Sequence, residues 1–174
     1  MNPAARILCV TTLVTLCSAA YAQQTREQAI AGMKKVDAKQ MDPAYTKPAP
    51  YAQQLVDEAL AKHPEVILLA IHATPPGHKD VIVASNFGRI GKLGDEDDMR
   101  CINTGKSNLE VAGPHFEDEV VLKDQAGKTI GAVGVVFNYK PGDDKAALAK
   151  IADQVRDEMQ AKLPNEAALF GAAQ

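Results

Sequence analysis

Apolar and polar positions repeat with two different periods along the chain, and these periods predict helices near both ends with strands between them. Apolar side chains spaced three and four residues apart predict helices over 25–39, 51–62 and 145–163. Between the second and third helices, continuous apolar runs predict strands instead. Because the strands come in adjacent pairs without strand–helix–strand alternation, the order indicates an α+β domain with an antiparallel sheet.

Two hairpins account for the predicted strands. The first joins the runs EVILLAIHA (65–73) and VIVASN (81–86) through the turn TPPGHKD. The second lies within HFEDEVVLKDQAGKTIGAVGVVFNY (115–139), where Gly127 suits a left-handed turn position. Both faces of the first run are apolar, so we expect other parts of the chain to cover both faces of the sheet.

The first 22 residues have the pattern of a secretory signal peptide. Arg6 precedes an apolar run over 7–17, and Ala20-Tyr21-Ala22 fits a cleavage site before Gln23. The run is shorter than the about 20 residues that a membrane-spanning helix needs. We therefore expect a periplasmic or secreted protein with no membrane span after cleavage. Its expected parts are a signal peptide (1–22), a helical and proline-rich arm (23–50) and a single domain (51–174).

The charge of the chain argues against one class of ligand, and its cysteine content excludes an intramolecular disulfide after cleavage. The chain has 22 acidic and 19 basic side chains, a formal net charge of −3. This balance argues against nucleic acid, whose binding depends on basic contacts to phosphate. Loss of the leader removes Cys9 and Cys17, so Cys101 remains alone and no intramolecular disulfide can form. We expect Cys101 to be buried, as free cysteines commonly are.

The glycines and carboxylates of SNFGRIGKLGDEDD match neither a nucleotide-binding loop nor a calcium loop. The glycines lack the Gly-x-Gly-x-x-Gly spacing, and Lys92 is followed by Leu93 where a P-loop requires Ser or Thr. The acidic run 95–98 lacks the glycine and the closing carboxylate of an EF-hand. It predicts the first turn of a short helix, with solvated carboxylates that the helix dipole stabilises.

Catalytic motifs are absent from the sequence. Gly-x-Ser-x-Gly, His-Glu-x-x-His and Cys-x-x-Cys-His do not occur, and Ser85 has no recognisable base beside it. We therefore predict a protein without enzymatic activity, cofactor or resident metal. His72, His78, His115 and Cys101 are suitable ligand types for a metal, but their spacing gives no support. An enzyme or metal-handling protein built on three of them, His72, His115 and Cys101, is the weakest hypothesis.

A succession of short motifs runs from the first predicted hairpin to the last. Val83-Ala84-Ser85-Asn86 and Arg89-Ile90-Gly91-Lys92 precede the acidic short helix, Thr104-Gly105-Lys106 follows it, and VVLKDQAGKTIGAVGVVF comes last. In this order and spacing, residues 55–161 resemble a single domain of the Cache family, the extracytoplasmic PAS-like sensors. The resemblance includes the closing turn Asp-x-x-Gly-Lys-x-Ile-Gly, which begins at Asp124.

The resemblance implies a sheet of five or six antiparallel strands with N-terminal and C-terminal helices packed on it. A long N-terminal helix would cover one face, and a small-ligand pocket would lie between the other face and segment 87–114. The Ile90-Gly91 loop would form a pocket wall, where glycine permits close backbone approach. The chain has no Trp and lacks the aromatic-rich motif of double Cache sensors, so amino-acid recognition by that route is not expected.

Candidate ligand-binding residues surround this predicted pocket. Arg89 and Arg100 have paired donors suited to a ligand carboxylate, although each can instead neutralise the acidic run 95–98. His72 and His115 can donate to an anion, or can be satisfied core or edge residues. The full predicted set is His72, Ser85, Arg89, Arg100, Asn103 and His115.

These features predict a periplasmic, non-enzymatic sensor or carrier for a small molecule such as an organic anion. No spanning helix or signalling domain is recognisable after the domain, so a separate membrane receptor or transporter is the expected partner. Ligand binding would order segment 87–114 and change a surface that this partner contacts. The alternative is a structural or adaptor module without a ligand, with a filled interior and an interacting arm at 25–50.

Overall fold

The computed structural model describes residues 22–174, and the predicted signal peptide, apart from residue 22, lies outside them. The helices are α1 (22–31), α2 (Pro50–Lys62), α3 (Glu96–Thr104), α4 (Lys145–Gln160) and α5 (Glu166–Leu169), with a 3-10 turn at Ala38–Gln40. The strands are β1 (Val66–Ala73), β2 (Val81–Ser85), β3 (Asn108–Ala112), β4 (His115–Lys123) and β5 (Thr129–Asn138). Within 22–174, no helix combines the length and apolar character of a membrane span.

The strands form one antiparallel sheet in the order β2-β1-β5-β4-β3. Both predicted hairpins are present, because β1 pairs with β2 and β4 pairs with β5. The long pairing between β1 and β5 joins the two hairpins into one sheet. The predicted α+β class, with an antiparallel sheet and helices packed on it, is confirmed.

Helices α2 and α4 pack on one face of the sheet, which we call the core face. α2 begins with Pro50, whose fixed φ suits the first turn of a helix. α4 begins after Asp144, whose carboxylate accepts hydrogen bonds from two backbone amides of the first turn. The main apolar core lies between these helices and the sheet, and includes Leu55, Val155, Leu69, Val133 and Phe116.

Helices α1 and α3 lie over opposite ends of the other face, which we call the cavity face. At one end, side chains of the α1 region pack with Phe87 on Leu68 and Val136. At the other end, Cys101 of α3 packs on Val121 and Ala132. All eight residues of β1 are buried, which confirms that both faces of this strand are covered. Between α1 and α3, a cavity remains on the cavity face.

Two elements differ from the sequence-based expectation. The apolar pattern does not predict β3, because its residues are mostly exposed; pairing with β4 defines this edge strand. The first helix was predicted to begin at Thr25, yet it already includes residues 22–24 and ends at 31. The Thr25 hydroxyl donates to the Ala22 carbonyl at 2.8 Å, so it does not act as an N-cap.

Arg26 connects α1 to α2 and β1 through hydrogen bonds. Its guanidinium donates to the carbonyls of Leu60 and His63 at the end of α2, at 2.8 and 3.0 Å, and to that of Val66 at 2.9 Å. The last carbonyls of a helix have no partner within it, and a cation there also complements the helix dipole. The beginning of the arm 23–50 is therefore bound to the domain.

We expect Arg26→Ala to release α1 from the sheet. Three hydrogen bonds from a charged donor are lost, so the free energy of unfolding should fall by about 2–4 kcal/mol. Hydrogen–deuterium exchange should show faster exchange of the amides at 22–31. Arg26→Lys, which keeps the charge but not the fork of donors, should give an intermediate effect. Unchanged exchange at 22–31 in the alanine variant would contradict this role.

Asp118 is a buried carboxylic acid on the core face. It is 2% exposed, and its Oδ1 has no hydrogen-bond partner among the residues described. Burial raises the pKa of Asp118 to about 7; the charge of Asp153 raises it further, and Arg156 opposes this change.

This shift predicts a pH-dependent stability. The pKa of Asp118 is higher in the folded state than in the unfolded state, so the folded protein is most stable at a pH where the carboxyl group is protonated in both states. This stability is lost as pH rises from about 4 to about 7. At about pH 8, Asp118→Asn should therefore be more stable than the wild type, by up to about 4 kcal/mol. At about pH 4 the two should be similar. Denaturant unfolding at both pH values tests this, and Asp153→Asn should reproduce only a small part of the gain.

Candidate functional site

A cavity of about 790 Å³ opens on the cavity face between α1 and α3. Its floor is formed by side chains of β1, β4 and β5, and its walls by the α1 region, residues 87–98 and β3. Small-molecule sites typically enclose about 300–1,000 Å³. The predicted cover was segment 87–114; in the structure the arm shares this role. An open cavity fits the ligand-binding hypothesis better than the filled interior expected of an adaptor.

Carboxylates dominate the cavity lining. The acidic residues are Asp95, Asp97, Asp98, Glu110, Glu117 and Glu119, and the basic ones are Lys34, Arg89 and Lys92, with His72 and His115 in addition. Burial raises the pKa of Glu117, and the charge of Asp98 raises it further. A concave surface lined by one sign of charge concentrates ions of the opposite sign. The lining therefore suits a cation.

Two small residues of the middle strand create the space in the floor. β5 lies between β1 and β4, and its Ala132 pairs with His72 while its Gly134 pairs with Glu119. Because Ala132 carries only a methyl group and Gly134 carries no side chain, the longer side chains of the flanking strands can approach each other above β5. This agrees with the role that glycine in a strand often has, which is to permit close approach.

Four residues at this point form a buried group, which we call the His72 cluster: His72, Asp80, Asp98 and Glu119. Each is 5–7% exposed. One ligand atom from each of His72, Asp98 and Glu119 lies within 4.8 Å of the other two. His72 Nδ1 lies 3.4 Å from Asp80 Oδ1, and His72 Nε2 lies 3.4 Å from Asp98 Oδ1. An imidazole is thus placed between two carboxylates, with a third nearby.

The hydrogen bonding of the His72 cluster is incomplete. Burial raises the pKa of Glu119 to about 10, and the neighbouring Asp98 raises it further. Asp98 Oδ2 accepts from the Asp95 amide at 2.7 Å. In contrast, His72 Nδ1 and both carboxylate oxygens of Asp80 have no hydrogen-bond partner within the described chain. Buried polar atoms without partners are costly, which suggests that something else completes the cluster.

The prediction for the acidic run 95–98 is correct for the helix but wrong for the surroundings of Asp98. α3 does begin after Asp95, as the sequence indicates. The prediction of solvated carboxylates is wrong for Asp98, which is buried and faces His72. As the third residue of the helix, Asp98 folds back to bond the backbone of Asp95 in a capping box. The Asp-x-x-Asp spacing carries that signal, but it does not reveal what Asp98 faces.

The structure places three of the six predicted ligand-binding residues in the cavity lining: His72, Arg89 and His115. The two histidines are far apart. His72 and Val121 both pair with Ala132, and His115 precedes Val121 by six residues on β4, a separation of about 20 Å along the sheet. Arg89 donates to the carbonyl of Lys34, which connects the loop to the end of the α1 region.

Within the described part of the chain, the cavity lining does not include the other three predicted residues, which are Ser85, Arg100 and Asn103. The Ser85 hydroxyl donates to the Gly88 carbonyl. Arg100 pairs with Asp97 and donates to Asn108 Oδ1 at 2.9 Å, which is the neutralising role considered above. Asn103 is exposed on α3.

Within residues 22–174, the structure does not bring together the metal ligands considered from the sequence, which were His72, His78, His115 and Cys101. Among the residues described, the one group of clustered ligand atoms is His72, Asp98 and Glu119. His78 Nδ1 lies 2.7 Å from Asp42 Oδ2 in another part of the fold. Cys101 is buried, as predicted, and its Sγ donates to the Glu119 carbonyl at 3.3 Å. Asp98 and Glu119 were not candidates in the sequence, although three carboxylates within the strand HFEDEVVLK were a visible signal.

Cys101 should resist thiol reagents in the folded protein. Burial raises its pKa to about 12, and the charge of Glu119 raises it further; the thiolate, which is the reactive form, is therefore scarce. In a chain beginning at Gln23, where Cys101 is the one cysteine, Ellman's reagent should react slowly under native conditions and fast in denaturant. Rapid reaction of the native protein would show that α3 does not cover the thiol as described.

Comparisons with known proteins concern the fold. No family model matches the chain, and no curated protein matches it in sequence. A type II free methionine-R-sulfoxide reductase from Thermoplasma acidophilum is similar in structure, with 17% identity and a TM-score of 0.45 over 70% of this chain and 93% of that one. An A. aeolicus nlh2 GAF domain in an inactive state has 12% identity and a TM-score of 0.46 over 88% and 95%.

A third structure, described as the GAF domain, has 11% identity and a TM-score of 0.44 over 88% of this chain and 89% of that one. At these identities and TM-scores the similarity assigns neither a family nor a role to this chain. The resemblance to Cache therefore stays a prediction.

Proposed function

We propose that this protein is a non-enzymatic sensing domain that binds a small cationic ligand outside the cytoplasm and signals through a separate membrane partner. The observation that carries the proposal is the cavity of about 790 Å³, whose lining has six carboxylates and three basic side chains. Export is supported by the leader pattern in residues 1–22. The membrane partner follows from the same expectation.

A cation is favoured over the organic anion that the sequence suggested. The two arginines considered for an anion are engaged, Arg89 by the Lys34 carbonyl and Arg100 by Asp97. Lys92 Nζ lies 3.0 Å from Asp95 Oδ2 and is thereby neutralised. An anion entering the cavity would approach carboxylates with few free cations to offset them, and like charges that meet without compensation are unfavourable.

The arm offers a route from ligand to partner. Residues of the α1 region line the cavity, and Arg26 binds α1 to the end of α2 and the start of β1. A ligand that contacts the arm more favourably in one position shifts the population toward that position. The exposed side of the arm would then carry the signal.

A melting-temperature screen of the chain from Gln23 tests the proposed function. Probes are divalent metal chlorides, 1,4-diaminobutane and choline as cations, and succinate and citrate as anions. A ligand at about 100 times its dissociation constant adds about 2.7 kcal/mol of stability. We expect cations alone to raise the midpoint. A rise with the anions alone would contradict a cationic ligand, and no rise with any probe would contradict a sensing cavity.

A further inference from the structure

We infer that the cation is a divalent first-row transition-metal ion, bound at the cavity floor by His72 Nε2 and the carboxylates of Asp98 and Glu119. This inference rests on the proposed function, because it specifies which kind of cation the acidic cavity binds. The three ligands come from β1, α3 and β4, so the site exists only in the folded chain.

The spacing of the donor atoms suits one ion. Three atoms within 4.8 Å of one another leave a central point about 2.8 Å or less from each, and small rotations of the side chains bring this to the about 2.0–2.2 Å of zinc–nitrogen and zinc–oxygen bonds. Gly134 and Ala132 of β5 leave room for those rotations.

Asp80 supplies an independent observation. Its carboxylate is buried, both of its oxygens lack a hydrogen-bond partner in 22–174, and Oδ1 lies 3.4 Å from His72 Nδ1, which is also unpartnered. A metal-binding histidine usually donates its second ring N–H to a carboxylate or carbonyl. A metal at Nε2 would place the ring proton on Nδ1, toward Asp80. One ion thus gives partners to groups that otherwise have none.

The competing explanation is a cluster without an ion, in which His72 contacts Asp80 and Asp98 directly. Both contacts are 3.4 Å, which is longer than the 2.7–3.2 Å typical of N–H···O hydrogen bonds. This arrangement also leaves out Glu119, the third residue of the group of clustered ligand atoms. A bound ion accounts for the third acidic residue as well.

The donor set narrows the choice of ion. One imidazole nitrogen and two carboxylate oxygens suit Mn²⁺, Fe²⁺ or Zn²⁺. Mg²⁺ and Ca²⁺ prefer oxygen ligands throughout. Soft ions such as Cu⁺ prefer thiolate, and the Cys101 thiol is turned to the Glu119 carbonyl instead. Positions facing the cavity remain open for water or for a small molecule that binds the metal.

Cobalt titration of the metal-free chain from Gln23 tests the inference, because Co²⁺ has visible absorption bands that report on its ligands. Zn²⁺ and Mn²⁺ are titrated in parallel by calorimetry. Glu119→Gln is the principal variant, since an amide of the same shape as the carboxyl group should preserve the fold. Asp98→Asn is a second variant. Glu96→Gln is the matched control, because Glu96 is an exposed residue in the same first turn of α3 as Asp98 and is not part of the lining as the described residues define it.

We expect one ion per chain, with affinity at least about ten times weaker in Glu119→Gln and Asp98→Asn and unchanged in Glu96→Gln. Asp80→Asn should retain the stoichiometry but bind about 10–100 times more weakly, because Asp80 positions His72. Equal binding by the wild type and both ligand variants would overturn the inference. If the metals fail to bind but 1,4-diaminobutane raises the melting midpoint, the inference falls and the cationic-ligand function stands. If neither binds, both fail.

Discussion

Replacing Gly91 with alanine is expected to destabilise the protein by about 3–5 kcal/mol, a loss at the upper end of single substitutions. Gly91 has φ of +86°, and a Cβ added there would lie 2.1 Å from the Tyr45 carbonyl oxygen. The backbone cannot easily retreat, because the Gly91 amide donates to Ile82 at 3.0 Å and its carbonyl accepts from Asp42 at 2.7 Å. The pocket-wall glycine predicted from the sequence therefore serves backbone-to-backbone packing.

Gly88→Ala is the matched control for Gly91→Ala. Gly88 is in the same loop and also has a left-handed φ, +72°, but a Cβ added there would meet no atom within 4 Å. Gly88→Ala should therefore lower the free energy of unfolding only by the conformational penalty of about 1–2 kcal/mol. Denaturant unfolding of both variants separates the two contributions. Equal losses would show that the close approach of residues 42–45 to Gly91 is not important for stability.

Gly131→Ala is expected to damage both the fold and the metal site. A Cβ at Gly131 would lie 2.1 Å from the carbonyl oxygen of His72, so β1 must move away from β5 at the residue that supplies the imidazole. We expect a loss of about 3–4 kcal/mol in the free energy of unfolding, and Co²⁺ affinity at least about ten times weaker, because a displacement of even part of an ångström spoils a metal site.

The control for Gly131→Ala is Gly134→Ala, in the same strand. A Cβ at Gly134 would meet Glu117 Oε1 at 3.7 Å, an ordinary contact. Its stability should change by less than about 1 kcal/mol, since alanine loses less conformational freedom than glycine on folding. If Gly131→Ala binds Co²⁺ as well as the wild type does, the imidazole is not a ligand.

The parts of the fold that the sequence predicts are those with a strong apolar period. β1 and β5 read as strands because nearly all of their residues are apolar, and α2 reads as a helix because Leu55, Val56 and Leu60 recur on one side. β3 has no such pattern, since it is an exposed edge that pairing with β4 defines. The spacing of apolar residues predicts a strand only where one of its faces is buried, and β3 is mostly exposed.

The site was predictable only in part for a related reason. His72, Arg89 and His115 were identified because a polar residue near a strand end or in a loop stands out in the sequence. Asp98 and Glu119 join His72 only through the order β1-β5-β4 and the docking of α3. That proximity depends on strand register and on small residues in β5, and neither is readable from the spacing of the ligands along the chain.

The most direct measurement is anomalous X-ray diffraction from crystals of the chain from Gln23 grown with Mn²⁺ or Co²⁺. We predict a single strong anomalous peak at the cavity floor, within about 2.0–2.3 Å of His72 Nε2 and of one oxygen each from Asp98 and Glu119. Asp80 should then lie within hydrogen-bond distance of His72 Nδ1. An empty floor at saturating metal, with peaks only at surface carboxylates such as Asp153 and Asp157, would contradict a metal-binding cavity.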